Sequence, residues 1–138
     1  MRRRLGEARV ARLATSGPGG RPHVVPVTFV LDGDTLYWAV DHKPKSGRPL
    51  RRLLNLAQNP AVELVADHYS DDWGELWWVR VAGVADVLAP GREAERALDL
   101  LAAKYPQYRD RRPAGPVVRV EVRRWSAWSG AAAAGEDD

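Results

Sequence analysis

Two apolar runs joined by a tight turn constrain the fold of this chain more than any other feature. HVVPVTFVL occupies residues 23–31, TLYWAV occupies 35–40, and Asp32-Gly33 between them is typical of a two-residue β-hairpin turn. Side chains alternate between the two faces of a strand, so these runs predict an antiparallel pair. One predicted face carries Val25, Val27, Phe29 and Leu31, and the other carries Val24, Pro26, Thr28 and Val30. Because Pro26 has no backbone N–H, it predicts a sheet edge, a bulge or a place where a ligand replaces a neighbouring strand.

Similar runs predict the remaining strands. They lie at 9–15, 61–68, 76–88 and 117–125, and Gly83 in the third is expected to mark a bulge or a close backbone contact. Turn signals separate most of these runs along the chain. A mainly β fold is therefore expected, a small barrel of six or so antiparallel strands with two to three helices packed outside.

Two segments have helical periodicity. Residues 92–104 place Ala94, Ala97, Leu98 and Leu101 on one apolar stripe. Residues 49–58 form a shorter amphipathic segment, with Pro49 suited to a first turn and Asn59-Pro60 ending the helix. Its predicted buried stripe is Leu50, Leu53, Leu54 and Ala57, and its predicted exposed face is Arg51, Arg52, Asn55 and Asn59.

Length and composition indicate one folded domain at 1–130 and a disordered acidic tail at 131–138. The 138 residues include no cysteine, which excludes a disulfide framework and a thiolate site and fits a reducing cytoplasm. No apolar run approaches the roughly 18 residues of a membrane span. The net charge of +3 suits a small anionic ligand as well as a nucleic acid.

Three kinds of site find little support in the sequence. His23, His42 and His68 lie on separate predicted elements without a G-x-S-x-G motif, which argues against a hydrolase. The acidic loop YSDDWGE has neither EF-hand nor zinc spacing, so no metal site is expected. The aromatic and basic residues lack the spacing of a base-stacking sheet, so no nucleic-acid partner is expected. Trp77 and Trp78 should face opposite sides of one strand, one in the core and the other at a subunit interface.

The strongest functional signal is a basic stretch, DHKPKSGRPLRRLLNLAQNP at 41–60. Its cations are Lys43, Lys45, Arg48, Arg51 and Arg52. The turn before the helix offers backbone N–H groups and a positive dipole end, which favour a phosphate or another polyanionic group. A solvated helix face is the alternative interpretation.

The order of motifs resembles the pyridoxamine 5′-phosphate oxidase-like superfamily over about residues 8–130. LAT…GRPHVVPV and NL…NP are superfamily motifs, whereas DHKPK, DHYSDDW, LWWVRV and KYPQY together are similar to the branch of coenzyme F420 (deazaflavin)-dependent oxidoreductases. The resemblance implies an FMN-binding split β-barrel and a homodimer with two cofactor sites at the subunit interface. It also implies hydride transfer from reduced coenzyme F420 to a small electron-poor organic acceptor. FMN is the alternative cofactor, in an oxidase or reductase of the same fold, and a non-catalytic F420 carrier is a further alternative.

The resemblance also implies which residues bind the cofactor. Phosphate-binding residues would be Lys43, Lys45, Ser46, Arg51, Arg52 and Asn55. The ring would lie along Pro26, Val27, Thr28 and Phe29, with residues 38–40 nearby, and Trp125 and Trp128 would approach the ring or the partner subunit. Spare cations (Lys43, Arg48 and Arg2–Arg4) favour the deazaflavin because its tail carries several carboxylates. Catalytic residues stay unassigned, with Tyr69 or His68 as a conceivable proton donor.

Overall fold

The computed structural model describes residues 1–41 and 50–131, and within them the fold is mainly β. Its strands are β1 (Ala11–Ser16), β2 (Pro22–Val27), β3 (Val30–Asp32), β4 (Thr35–Ala39), β5 (Ala61–His68), β6 (Trp77–Val87) and β7 (Val117–Ser129). The helices are α1 (Arg2–Glu7), α2 (Arg51–Gln58), α3 (Arg92–Lys104) and α4 (Pro106–Asp110), with 3₁₀ turns at Pro18–Gly20 and Trp73–Glu75. The expected tail beyond Ala131 lies outside the described residues.

All seven strands of the described residues form one antiparallel sheet in the order β2-β1-β5-β6-β7-β4-β3. The sheet curls into a half-barrel, which confirms the predicted split-barrel class and the antiparallel pairing. Strands β2 and β3 follow each other in sequence but lie at opposite ends of this order. The chain passes between them at Thr28–Phe29, a break that we call the seam. Pro26 lies on the terminal strand β2, so its prediction of a sheet edge is confirmed.

Two apolar clusters hold the sheet. The first fills the half-barrel, and its fully buried members include Leu13, Phe29, Leu36, Trp38, Leu64, Val79, Val81 and Val120. The second packs α3 and α4 against β3 and β4 through Val30, Tyr37, Ala97, Leu98, Leu101, Tyr105 and Tyr108. The buried residues of α3 are Ala94, Ala97, Leu98 and Leu101, as its periodicity predicts. No helix among residues 1–41 and 50–131 has the length and apolar character needed to cross a bilayer.

Several predicted boundaries are wrong. The run at 23–31 is two strands instead of one, because the chain leaves the sheet at the seam. The last strand continues to Ser129, since residues 126–129 pair with the start of β6. Helices α1 and α4 were not predicted, and each is only one or two turns long. The register shift beside Gly83 confirms the predicted irregularity, and a Cβ there would overlap the carbonyl oxygen of Glu121.

The buried face of α2 differs from the predicted one. Asn55 is 1% exposed and Leu56 is buried, whereas Leu54 is 40% exposed. Ala57 is also exposed. Leu50, Leu53 and Leu56 contact the barrel core, and this i, i+3, i+6 stripe competes with the predicted one. Asn55 is buried beside this stripe, where its side-chain N–H donates to the Thr15 hydroxyl at 3.0 Å.

Side chains at the junction of α3 and α4 close the seam. The Tyr105 hydroxyl accepts from the backbone N–H of Phe29 at 3.1 Å and shares its proton between the carbonyls of Arg9 and Phe29, at 2.9 and 3.0 Å. Lys104 Nζ donates to the Phe29 carbonyl at 2.9 Å. These bonds satisfy backbone groups that lack a neighbouring strand at the break.

The seam makes stability depend on pH. Burial, and then the nearby charge of Arg9, lower the pKa of Lys104 to about 8 from 10.5. Between these values the unfolded chain binds a proton that the folded chain lacks, so the free energy of unfolding should rise as pH increases from about 8 to 10. Above pH 10 it should fall, because burial raises the pKa of Tyr37 and of Tyr108 from 10.0 to about 12. Urea unfolding of the wild type and of Lys104→Met across pH 7–10 tests the first part, since only the wild type should show the rise. Parallel profiles would contradict it.

Candidate functional site

Two cavities flank the first turn of α2. The first, of about 340 Å³, lies at the seam and is called the seam pocket; it is lined by Val10, Pro26, Val27, Thr28, Ala39, Val40, Asp41, Leu50, Arg52 and Tyr108. The second, of about 440 Å³, is called the basic pocket; it is lined by Gly17, Pro18, Arg21, Pro22, His23, Arg51 and Asn55. Strand β2 contributes to both cavities, and so does α2. The helix therefore stands between an apolar pocket and a cationic one.

The seam pocket contains one ordered polar cluster. The Tyr108 hydroxyl donates to Asp41 Oδ1 at 2.6 Å and lies 2.7 Å from Thr28 Oγ1, which can donate to it in turn. Burial, and then the hydrogen bond to Asp41, raise the pKa of Tyr108 to about 12. Tyr108 is therefore a neutral donor at physiological pH, and it fixes the orientation of Thr28 at the end of β2.

Arg52 supplies the positive charge of the seam pocket. Its guanidinium lies over the Trp38 ring, 5.4 Å from the centroid, in a cation–π contact. Burial lowers its pKa from the usual value, and the charge of Asp41 acts in the opposite direction. Arg52 Nε is buried, and neither it nor the indole N–H of Trp38 has a hydrogen-bond partner within the described residues. A half-buried cation with an unused donor is suited to an anionic group of a ligand.

The basic pocket combines exposed charge with buried polar groups. Arg21 and Arg51 are exposed at its mouth, and no acidic residue is among its described lining residues. Asn55 forms its floor, where one end of the amide bonds to Thr15 and Oδ1 has no partner in the described part of the chain. His23 Nδ1 is buried and unpartnered in the same sense. This arrangement can bind an anion, but nothing in it resembles a nucleophile–base pair.

The structure divides the predicted site residues between the two cavities. Pro26, Val27, Thr28 and Arg52 line the seam pocket, together with the nearby Ala39 and Val40, whereas Arg51 and Asn55 line the basic pocket. The side chain of Phe29 lines neither cavity, because it is 0% exposed in the barrel core. Lys43, Lys45 and Ser46 lie outside the described residues.

The C-terminal tryptophans Trp125 and Trp128 line neither of the two cavities. Trp128 is 44% exposed and pairs with Trp78 on the outer face of the sheet. Strands β1, β5 and β6 separate it from β2, or roughly 19 Å at the usual strand spacing. Trp125 donates to Asp34 at 3.3 Å and stacks under Arg2, beside α1. Neither tryptophan lines the seam pocket of its own chain.

The conceivable proton donors also lie outside both cavities. Tyr69 is exposed and donates to Asp71, and His68 stacks on Trp77 at 6.2 Å between ring centroids.

Trp77 packs partly on the core, while Trp78 lies with Arg80 in a hollow of the outer face. The expectation that these two tryptophans face opposite sides is therefore confirmed.

Sequence reasoning missed the polar and charged lining residues Asp41, Tyr108, Arg21 and His23 of the two cavities. The motifs KYPQY and GRPHVVPV contain three of them, but they were used only as signs of resemblance. Across residues 1–41 and 50–131, no cluster of three or more His, Cys, Asp or Glu side chains is arranged to hold a metal ion.

Comparisons with known proteins agree on the fold. Residues 1–129 match the sequence family described as pyridoxamine 5′-phosphate oxidase. No protein of curated function matches the chain significantly in sequence. A conserved hypothetical protein of Mycobacterium tuberculosis superposes with a TM-score of 0.72 and 21% identity, covering 91% of this chain and 80% of that one.

Two further solved structures have stated ligands. The heme storage protein HutZ of Vibrio cholerae has a TM-score of 0.72 and 14% identity, with coverage of 93% of this chain and 92% of that one. An FAD-binding protein of Mesorhizobium loti has a TM-score of 0.68 and 21% identity, with coverage of 89% and 85%. At these identities, the structural likeness extends to the fold alone.

Proposed function

Since this chain belongs to the pyridoxamine 5′-phosphate oxidase family, we propose that it is an oxidoreductase that binds a flavin-type cofactor at the seam pocket. The observation that carries the proposal is Arg52, a half-buried cation whose Nε has no partner within the described residues and which lines an otherwise mostly apolar cavity. Burying such a charge is costly. Asp41 in the same cavity offsets part of this cost, and an anionic ligand bound to the unpartnered Nε would offset more of it. An anionic cofactor with an aromatic ring supplies both the charge and the apolar surface.

The residues of the seam pocket fit such a group. Pro26, Val27 and Val40 offer apolar surface to a ring, and Thr28 and Tyr108 offer hydroxyl groups at its edge. Arg52 and the first turn of α2 offer positive charge, and in the part of the chain that the structure describes, that turn contains no acidic residue and receives no side-chain cap. Lys43, Lys45 and Ser46 are proposed to add to the phosphate clamp from the segment before α2.

We propose coenzyme F420 as the cofactor, on the resemblance of the motifs and the excess of cations around α2. When bound in its reduced form, this cofactor supplies a hydride to a small electron-poor organic acceptor, which takes up a proton from solvent. The chain then has to hold the ring, position the acceptor beside it and exclude water. No dedicated acid–base pair is required, which agrees with the composition of the two cavities.

Titration of the purified protein with oxidised F420, FMN and heme tests the cofactor. Quenching of deazaflavin fluorescence should give micromolar or tighter binding to F420 and weaker binding to FMN. Tight binding of FMN without any response to F420 would favour an oxidase or flavin reductase, the second candidate. Binding of heme alone, as in a heme-binding member of this fold, would remove the redox proposal.

Turnover separates an enzyme from a carrier. The reduced F420 complex, mixed with quinone, enone and nitroaromatic acceptors, should lose its reduced-state absorbance under anaerobic conditions. Tight binding with no acceptor reduced by any of the three classes would indicate a non-catalytic carrier.

A second copy of the chain is proposed to complete the site, as the resemblance implies. The outer face of β1, β5 and β6 has a hollow of about 450 Å³ lined largely by small and apolar residues, among them Ala14, Val24, Ala61, Val65 and Ala82. Small side chains allow two sheets to approach closely. In that dimer Trp128 is proposed to contact the partner copy, as the resemblance implies.

Val24→Asp tests the dimer. Val24 is 61% exposed, so the change should leave the isolated fold intact while burying a charge in the proposed interface. The mass in light scattering should fall from twice the chain mass of 15.3 kDa toward one chain mass. Val87→Asp is the matched control, since Val87 is 50% exposed and lies outside the hollow. Equal masses for both variants would contradict this interface.

A further inference from the structure

We propose that the basic pocket is a second anion-binding site, separate from the seam pocket, which takes carboxylate groups of an extended ligand. In terms of the proposed function, on which this assignment rests, these are the glutamate carboxylates of the F420 tail. The residues that would bind them are Arg21, Arg51, His23 and Asn55. None of the four has been assigned to the tail by the motif resemblance, which points instead to Lys43, Arg48 and Arg2–Arg4.

The first support is the pattern of ion pairs formed by the arginines. Arg2, Arg3, Arg80, Arg96, Arg112, Arg119 and Arg123 each form an ion pair with an acidic side chain. Arg21 and Arg51 are among the described arginines that form no ion pair within residues 1–41 and 50–131, and they are the two that line the basic pocket. They converge on one cavity from different elements, so their charges add there. Because Arg2 and Arg3 are already paired, they are poor candidates for the tail.

The second support is the buried floor of the pocket. Asn55 is 1% exposed, and its Oδ1 has no partner among residues 1–41 and 50–131. The Thr15 hydroxyl, 3.0 Å from the other end of the amide, can either accept or donate, so the amide can also present its NH₂ group to a ligand. His23 Nδ1 is likewise buried without a partner in those ranges. Buried polar groups of this kind usually have partners, and a bound carboxylate would provide them.

The third support is the backbone that shapes the pocket. Gly17 donates to the Arg21 carbonyl at 2.7 Å, which closes a tight turn containing Gly19 and Gly20 at φ values of 70° and 79°. A Cβ at Gly17 would lie 3.0 Å from Asn55 Oδ1, so a larger residue at this position would crowd the amide at the floor of the pocket. The turn therefore holds Arg21 beside α2 and leaves room around the Asn55 amide.

The two cavities are arranged for one extended molecule. Pro22 lines the basic pocket and Pro26 lines the seam pocket on the same strand, which separates them by about 14 Å. The first turn of α2 lies between them, with Arg52 on one side and Arg51 on the other. A ring in the seam pocket and carboxylates in the basic pocket would therefore place the linking phosphate near the positive end of α2. FMN, which has no tail, would leave the basic pocket unused.

Two forms of the cofactor test the assignment. One has several glutamates, and the other is the phosphate-bearing form without glutamate. The double variant Arg21→Gln, Arg51→Gln should weaken binding of the tailed form at least 20-fold and of the tail-less form less than threefold, measured by fluorescence titration at fixed salt. The double variant Arg111→Gln, Arg124→Gln removes the same charge from exposed positions outside both pockets, and should change neither affinity. Equal weakening of both forms, or no weakening, would overturn the site.

A titration without the cofactor tests this site independently of the proposed function. γ-Linked triglutamate, titrated into the wild type by calorimetry, should bind in the high micromolar to millimolar range and should not bind the Arg21→Gln, Arg51→Gln variant. If F420 fails to bind but triglutamate binds in this Arg-dependent way, the proposed cofactor is wrong and the carboxylate site stands. If inorganic phosphate binds there and triglutamate does not, the assignment to carboxylates is overturned. Failure of triglutamate to bind the wild type also overturns it.

Discussion

Replacing Arg52 with glutamine is expected to weaken F420 binding by about 30-fold to 100-fold, or about 2–3 kcal/mol. The side chain is half-buried over Trp38 and has an unused buried donor within the described residues, so a bond to an anionic group there is charge-assisted and poorly screened by solvent. Fluorescence titration at two salt concentrations measures the loss. The stability of the cofactor-free protein should be unchanged or higher, because burial lowers the pKa of Arg52 and glutamine carries no charge to desolvate.

Arg51→Gln is the matched control for this variant. It removes the same charge from the neighbouring position, but Arg51 is exposed at the basic pocket and not at the seam. FMN binding should therefore be weakened strongly by Arg52→Gln and by less than threefold by Arg51→Gln. If both variants weaken FMN equally, the cations act through the general potential around α2 and Arg52 has no special place in the seam pocket.

Replacing Gly83 with alanine is expected to reduce the free energy of unfolding by about 3 kcal/mol or more. A Cβ at this position would overlap the Glu121 carbonyl oxygen, and it would lie 3.0 Å from the carbonyl carbon and 3.1 Å from Val120 Cγ1. Backbone atoms of a paired strand cannot move aside as a flexible side chain can. Out of the roughly 5–15 kcal/mol of a typical domain, such a loss is a large fraction.

Urea unfolding followed by tryptophan fluorescence measures this loss. Gly91→Ala is the control, because no atom lies within 4 Å of a Cβ placed there. The control should unfold within about 0.5 kcal/mol of the wild type. A Gly83→Ala protein with wild-type stability would show that β6 and β7 are not in close contact at the register shift.

Local sequence patterns are enough to predict the strands and α3. Turn residues separate the apolar runs, and Ala94, Ala97, Leu98 and Leu101 repeat at helical spacing with no competing stripe. In α2 two stripes overlap, one through Leu54 and one through Leu56. Tertiary contacts decide between them, because Leu56 packs in the barrel core and Asn55 donates to Thr15. Local periodicity alone could not identify the buried face.

The seam and the two cavities required information that is remote in sequence. Pro26 signals a sheet edge, but no residue at 23–31 places the break at residues 28–29. The backbone groups of Phe29 are satisfied there by Tyr105 and Lys104, about 75 residues later. Arg51 and Arg52 are predicted in one patch because both lie on the helix face opposite the predicted apolar stripe. On a helix, neighbours diverge by about 100°. Because of this angle, Arg51 lines the basic pocket and Arg52 lines the seam pocket.

The closure of the seam by side chains has a consequence for evolution within the fold. One wall of the seam pocket is Tyr108, and Tyr105 beside α4 is anchored to the carbonyl of Phe29 by a side-chain bond that is not part of the strand ladder. Substitutions at Tyr108 would therefore change the lining of the pocket without removing any hydrogen bond between strands. Chains sharing this scaffold can diversify the molecules that they admit without remodelling the barrel.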